Sequence, residues 1–96
     1  MTELERYQEL LSRGLEGRLE SPEIRVVESA PYRYAGIVVS RTFEGMEDFD
    51  RQVLAWQAVL DTFSEEDRRW FEFVHTYTPA EMAAFAEEEE QTVEKG

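Results

Sequence analysis

The chain has 96 residues, 42% hydrophobic and 12% aromatic, which is enough for one folded domain and too few for a second core. Its 22 acidic residues against 10 Lys and Arg give a formal net charge of −12, which disfavours contact with nucleic-acid phosphates. The absence of cysteine excludes disulfides and cysteine-held metal clusters, and the short apolar runs and non-basic N-terminus predict a cytoplasmic chain without a membrane span or secretory signal.

The first 40 residues predict one helix and a β-hairpin. Thr2 and Glu5 fit a capping box that starts an amphipathic helix over residues 3–17. Residues 24–29 and 34–40 are predicted strands, and the short connection between them, 30–33, makes the pair antiparallel. The second strand is apolar on both faces at its centre, which predicts an interior position in the sheet.

The stretch after Gly45 predicts the clearest helix of the chain. Its apolar side chains follow each other at steps of four, three, four and three residues and form one stripe: Phe49, Val53, Trp56, Leu60 and Phe63. The stripe predicts the face that packs on the core, and the alternative is an aromatic platform for a ligand. Ser64 then caps one further short helical turn.

The last third of the chain predicts a strand and a helix. Residues 71–77 alternate, with Phe71, Phe73, His75 and Tyr77 on one face and Glu72, Val74 and Thr76 on the other. Thr78, Pro79 and Glu81 fit the N-cap, N1 and N3 positions of a final helix. Four glutamates at 87–90 oppose the helix dipole, which predicts a domain over residues 1–88 and a disordered acidic tail over 89–96.

The predicted fold class is a single small α/β (α+β) domain with the order α-β-β-α-β-α. A right-handed crossover makes the second and third strands parallel. The result is a three-stranded mixed sheet with its helices on one face. The other face is left partly bare, and aromatic side chains are available to cover it.

The candidates for chemistry are few. His75 is the only histidine, and as a metal ligand it would need partners from other elements, so it is a weak metal candidate only. As a general base it would need a nucleophile and an orienting group, and no motif supplies them. The acidic clusters lack the ligand pattern of a calcium loop. We therefore predict no catalytic residue, no metal site, no cofactor and no enzymatic activity.

Two other segments are candidates for binding. Arg68, Arg69 and Trp70 form the only compact basic and aromatic cluster, and such residues are enriched at protein interfaces. The alternative is that arginine stems cover the core edge with Trp70 packed beneath them. The turn at Phe43 and Gly45 leads from a strand into a helix, where backbone N–H groups could meet an anion, but the acids around it repel phosphate.

The ordered set of segments resembles the BolA-like proteins, whose fold is similar to the class II KH domain. The resemblance covers residues 4–87. It rests on Val39-Ser40 followed two residues later by Phe43-Glu44-Gly45, Arg51 at the family's Arg-His-Arg, Trp56 at its Tyr, and Thr76-Tyr77-Thr78-Pro79-Ala80-Glu81.

Two departures from the family pattern concern its cluster site. The family's long first loop carries a His or Cys, and residues 30–33 have neither. The family's ligand His lies eight residues before the Thr of Thr-Pro, and that count reaches Trp70 here. His75 matches only a second, less regular His. The resemblance implies a fold that can partner a monothiol glutaredoxin, without the ligands that share a two-iron two-sulfur cluster.

The residues and the resemblance together favour a non-enzymatic interaction or regulatory module that uses the sheet edge and the region of Trp70 to contact another protein. For this partner the resemblance implies a monothiol glutaredoxin. One alternative is an iron–sulfur trafficking adaptor with that glutaredoxin, and another is a nucleic-acid-binding transcriptional or stress regulator. We expect a monomer or weak homodimer with no membrane contact. The predicted interaction residues are Phe43, Gly45, Arg51, Arg68, Arg69, Trp70 and His75.

Overall fold

The computed structural model describes the backbone of residues 2–95 and the side chains of residues 2–87. The elements follow the predicted order, with the short turn after Ser64 forming a helix of its own. They are α1 (Glu3–Leu15), β1 (Glu23–Ala30), β2 (Arg33–Val39), a 3₁₀ turn (Arg41–Phe43), α2 (Asp48–Thr62), α3 (Glu65–Trp70), β3 (Phe71–Tyr77) and α4 (Pro79–Lys95).

The three strands form one mixed sheet in the order β1-β2-β3. β1 pairs antiparallel with β2, and β2 pairs parallel with β3. The predicted hairpin, the crossover and the central position of the second strand are therefore confirmed. The hairpin turn lies between Ala30 and Arg33, and Tyr32 takes a positive φ of 63° there.

The predicted helix starts are confirmed by their hydrogen bonds. The Thr2 hydroxyl accepts from the Glu5 N–H at 3.1 Å, and the Ser64 hydroxyl accepts from the Asp67 N–H at 3.1 Å. At α4 the capping box is reciprocal, with Thr78 Oγ1 accepting from the Glu81 N–H at 3.1 Å and Glu81 Oε1 accepting from the Thr78 N–H at 2.8 Å. These bonds satisfy donors that the first helical turn leaves without partners.

The core lies between one face of the sheet and the helices α1 and α2. Its fully buried side chains include Tyr7, Leu11, Val38, Phe43, Val59, Phe71 and Val74. Glycine allows the close packing of α1, because a Cβ on Gly14 would lie 2.5 Å from the Ala58 carbonyl oxygen. On the sheet, a Cβ on Gly36 would lie 2.7 Å from Leu11 Cδ2. Small residues thus set the distance between the layers.

The prediction that the apolar stripe of α2 faces the core is wrong for most of its length. Phe49, Val53 and Leu60 are exposed, Trp56 is half-buried, and only Phe63, just past the helix end, is buried. The inner face consists instead of Arg51, Ala55, Ala58 and Val59. Where α1 crosses so close at Gly14, the inner face carries the small Ala58, and the larger Phe49, Val53 and Leu60 lie on the outside.

The predicted alternation of β3 is also wrong at its start. The register between β2 and β3 shifts between the pairs Tyr34–Phe71 and Ala35–Phe73. Phe71 is buried among core aromatics, whereas Phe73 and His75 are exposed on the opposite face. The extra residue turns the side chains that follow it to the opposite face of the sheet. Phe71 and Phe73 therefore lie on opposite faces, although the sequence alternation predicts the same face for both.

Helix α4 departs from the predicted layer of helices. Its Met82 and Phe85 line a cleft with Ile37 and His75, which lie on the sheet face away from α1 and α2. The backbone of α4 is helical to Lys95. The side chains of residues 88–96 lie outside the part that the structure describes, and the disordered acidic tail over 89–96 stays a prediction.

Candidate functional site

Trp70 lies on the surface at the junction of α3 and β3. The next residue, Phe71, takes the core position, where its ring is 4.8 Å from Phe63 and 6.0 Å from Tyr7 between centroids. Trp70 is left 44% exposed. Trp70 is therefore not packed beneath the arginine stems, and its part in a protein interface stays a prediction.

The two arginines before Trp70 have different surroundings. Arg68 is half-buried and its Nη1 donates to the Phe63 carbonyl oxygen at 3.0 Å, which ties α3 to the end of α2. Arg69 is exposed, and among the described residues it makes no ion pair. Arg69 and Trp70 define what we call the Trp70 surface.

An ion pair anchors the helix that carries this surface. The Arg6 guanidinium of α1 donates two hydrogen bonds to the Asp67 carboxylate, at 2.7 and 3.0 Å. These bonds from Arg6 hold the pKa of Asp67 below its usual value of 3.8, against the opposing effect of burial. The bidentate geometry fixes the orientation of α3 against α1.

The Arg6–Asp67 pair predicts a pH dependence of stability. Because the folded-state pKa of Asp67 is lowered, its contribution is present above about pH 3.8 and is lost as the pH falls through the folded-state pKa. An Asp67→Asn variant lacks this contribution. Urea midpoints measured from pH 7 to pH 2.5 should show a gap between wild type and Asp67→Asn that closes below about pH 3.8. A gap of constant size would contradict the prediction.

His75 lies on the open face of the sheet, away from Trp70. The register places Arg25, Ile37 and His75 in one row across the three strands. The imidazole is exposed and packs edge-on against Phe73, with 4.9 Å between ring centroids. Together with Met82 and Phe85 of α4, this row borders a cleft of about 430 Å³.

Phe43, Gly45 and Arg51 are placed inside the fold or in its turns. Phe43 is fully buried, and Gly45 has a positive φ of 77°, which its turn requires. Arg51 donates from Nε to the Met46 carbonyl at 3.1 Å and from Nη1 to Glu81 Oε1 at 2.7 Å. Arg51 thus holds the start of α4 and Phe43 belongs to the core, so neither presents a free surface.

The predicted site residues therefore do not converge. The Trp70 surface lies at the start of β3, and the Arg51–Glu81 ion pair lies at its end. The length of the strand, about 20 Å, separates them. Over the described part of the chain no group of three or more His, Asp or Glu side chains could hold a metal ion. The carboxylates with lowered pKa, including Glu72 and Glu81, owe it to Arg33 and Arg51.

Two groups of exposed apolar side chains had no counterpart among the predicted site residues. They are Phe73 beside His75, and the outer face of α2 with Phe49, Val53 and Leu60. The α2 sequence did carry a signal, since its alanines at 55 and 58 form a second apolar face beside the larger stripe. A helix with two apolar faces can bury only one of them in a two-layer domain.

Comparison with solved structures defines the class of this fold. The chain matches a bol-like protein from Babesia bovis with a TM-score of 0.55 and 22% identity, over 82% of this chain and 92% of that one. It matches a BolA protein homologue from Coxiella burnetii with a TM-score of 0.58 and 23% identity, over 86% and 99% of the two chains. No protein-family model matches the chain, and no curated protein matches it in sequence.

The protein is thus a small α+β domain with a three-stranded mixed sheet, and its fold is BolA-like. This confirms the fold that the segments of the sequence indicated. Among the described residues, no helix is long and apolar enough to cross a membrane.

Proposed function

We propose that this domain is a non-enzymatic interaction module that binds another protein through the Trp70 surface. The observation that carries the proposal is the exposure of Trp70, at 44%, where the neighbouring Phe71 is buried. Trp and Arg are the residues in which protein interfaces concentrate their binding energy. Arg69 and Trp70 are adjacent in the chain, and both are exposed.

The edge of the sheet favours contact through side chains rather than through added strands. β3 is an edge strand that pairs only with β2 over the described residues. Its outer side is partly occupied, since Gln52 Nε2 of α2 donates to the Val74 carbonyl at 3.0 Å. A partner strand would have to displace Gln52 to pair along β3. An apolar pocket that receives Trp70, with a carboxylate or carbonyl acceptor for Arg69, fits this surface better.

The proposal includes the absence of catalytic residues. His75 has Phe73 as its close aromatic neighbour, and it makes no hydrogen bond with the described side chains that would orient it as a general base. The net charge of −12 disfavours phosphate, so nucleic acid is a poor fit for the same surface.

The proposal predicts that Trp70→Ala weakens partner binding at least about tenfold while leaving the fold intact. A monothiol glutaredoxin is the first partner to test, by isothermal titration calorimetry with its apo and cluster-loaded forms. Trp70 is exposed, so the variant should keep the wild-type urea midpoint within experimental error. A partner captured from the native cell would be tested in the same binary assay.

His75→Ala is the matched control for this experiment, because it removes an exposed ring on the open face of the sheet, five positions along the chain from Trp70. The interaction module predicts that His75→Ala binds like wild type. Loss of binding and of visible cluster absorption in His75→Ala, with Trp70→Ala unaffected, would instead support an iron–sulfur adaptor. Equal affinity of wild type and Trp70→Ala for every partner would overturn the proposal.

A further inference from the structure

A cleft lies on the open face of the sheet, between the strands and the N-terminal half of α4. Ile37 and Val39 of β2 line it from the sheet, and Met82 and Phe85 line it from α4. Its volume of about 430 Å³ is within the range of ~300–1,000 Å³ that small-molecule sites occupy. Trp70 does not border this cleft, so a ligand bound here is separate from the proposed protein contact.

The strand register brings two nitrogen-bearing side chains to opposite sides of Ile37. Arg25 of β1, Ile37 of β2 and His75 of β3 are aligned across the sheet, and all three line the cleft. Neighbouring strands lie about 4.8 Å apart, so the Cα atoms of Arg25 and His75 are about 10 Å from each other. An acceptor group placed above Ile37 therefore lies between a guanidinium and an imidazole, both of which can donate N–H hydrogen bonds.

The charge of Arg25 is not used within the fold. Most other arginines of the chain pair with an Asp or Glu, whereas Arg25 makes no ion pair with the described side chains. A guanidinium binds a carboxylate with two parallel hydrogen bonds. The net charge of −12 repels anions at long range, but salt at physiological concentration screens that repulsion beyond about 8 Å. Direct contact with Arg25 therefore favours a carboxylate in the cleft.

The other end of the cleft has different chemistry. Glu23, Val39 and Tyr77 form the next row of the open face, two residues along each strand from the row of Arg25. Two residues of a strand span about 7 Å, which a benzene ring with a substituent at each end can bridge. The Glu23 carboxylate accepts hydrogen bonds and repels a second negative charge, so this end favours a hydroxyl or amino group on the ligand.

We propose that the cleft binds a small aromatic carboxylate that carries a hydrogen-bond donor at the far end of its ring. The carboxylate lies between Arg25 and His75, and the donor faces Glu23. The aromatic ring lies on Ile37, and Phe85 packs against it. Phe85 is 48% exposed in the free protein, so the ligand removes apolar surface from water as well as forming an aromatic pair.

Titration of the ¹⁵N-labelled full chain with 4-hydroxybenzoate, followed by NMR, tests the site. The amide signals of Arg25, Ile37, His75 and Phe85 should shift together and saturate, with a dissociation constant of about 1 mM or below. Absence of shifts up to about 20 mM ligand would overturn the proposal. Shifts concentrated outside the cleft, for example around Trp70, would overturn it as well.

Arg25→Gln should weaken the binding of 4-hydroxybenzoate at least about tenfold, because it removes charged hydrogen bonds to the carboxylate. Arg13→Gln is the control, since Arg13 lies on α1, is also exposed and loses the same charge. It should change the affinity by no more than about twofold. Both arginines are exposed, so both variants should keep the wild-type circular dichroism spectrum. Equal weakening in the two variants would show a general charge effect and would contradict the site.

Two analogues of the probe test its orientation without changing the protein. 4-Hydroxybenzamide has the same shape without the charge, and it should bind wild type at least about tenfold more weakly, but Arg25→Gln as well as the carboxylate does. Benzoate lacks the donor that faces Glu23 and should bind wild type at least about threefold more weakly. An amide that binds wild type as tightly as the carboxylate would exclude the contact with Arg25. Benzoate with full affinity would exclude the contact with Glu23.

Discussion

Replacing Gly14 by alanine is expected to lower the free energy of unfolding by about 2 kcal/mol, although alanine is the better helix former. The added Cβ would lie 2.5 Å from the Ala58 carbonyl oxygen and 3.0 Å from its carbonyl carbon. Both atoms belong to the backbone of α2, so no side-chain rotation can relieve the overlap. Overpacking costs about 1–3 kcal/mol, and the contact with rigid backbone places this site at the upper end. The gain in helix propensity offsets about 1 kcal/mol of it.

Urea denaturation of Gly14→Ala and of Ser12→Ala would measure this effect. Ser12 lies on the same helix and is half-buried, so its replacement should be neutral or stabilise the protein by up to about 0.5 kcal/mol. Gly14→Val should be more destabilising than Gly14→Ala, because its side chain is larger. A Gly14→Ala variant as stable as Ser12→Ala would show that α1 and α2 do not pack this closely.

Replacing Arg51 by alanine is expected to lower the free energy of unfolding by about 3 kcal/mol. The Arg51 side chain is only 9% exposed and joins three parts of the fold: the turn at Met46, the buried Phe43 ring and Glu81 of α4. Removing one partner of a buried ion pair costs about 3–5 kcal/mol. The lower end applies, because Glu81 is 47% exposed and water can solvate its freed carboxylate.

Two milder substitutions separate the parts of this effect. Arg51→Lys keeps the charge but cannot donate in two directions as a guanidinium does, and it should cost about 1–2 kcal/mol. Glu81→Gln keeps an oxygen that can accept from the Thr78 N–H but loses the charge opposite Arg51. A double-mutant cycle between positions 51 and 81, followed by urea denaturation, should give a coupling of at least about 1 kcal/mol. Additive effects would show that the pair does not hold α4.

The exposed and buried faces of α2 show what the spacing of apolar residues can predict and what it cannot. The spacing of Phe49, Val53, Trp56 and Leu60 predicted the helix correctly, because an apolar stripe requires only helical periodicity. It predicted the wrong face toward the core. The choice of face depends on how close α1 comes, and the glycine at position 14 and the alanine at 58 that set this distance lie 44 positions apart.

At the candidate site, the exposure of Trp70 and the face on which His75 lies could not be predicted from the sequence either. The count of residues placed Trp70 where the family keeps a ligand, but a count contains no information on exposure. The register shift that sends Phe71 inward and Phe73 outward is a property of two paired strands. The Phe71 ring then packs among Tyr7 of α1 and Trp56 and Phe63 of α2 and its C-terminal end, which are distant from β3 in the chain.

Local rules were sufficient for the order of the elements, the helix caps at Thr2, Ser64 and Thr78, the hairpin and the parallel crossover. Each depends on residues close together in the chain or on the handedness of a connection. The tertiary structure alone decided which faces of α2 and β3 are buried, the position of α4, and the role of Arg51 as a link to Glu81. These features depend on contacts between distant segments, whose energies a local pattern does not contain.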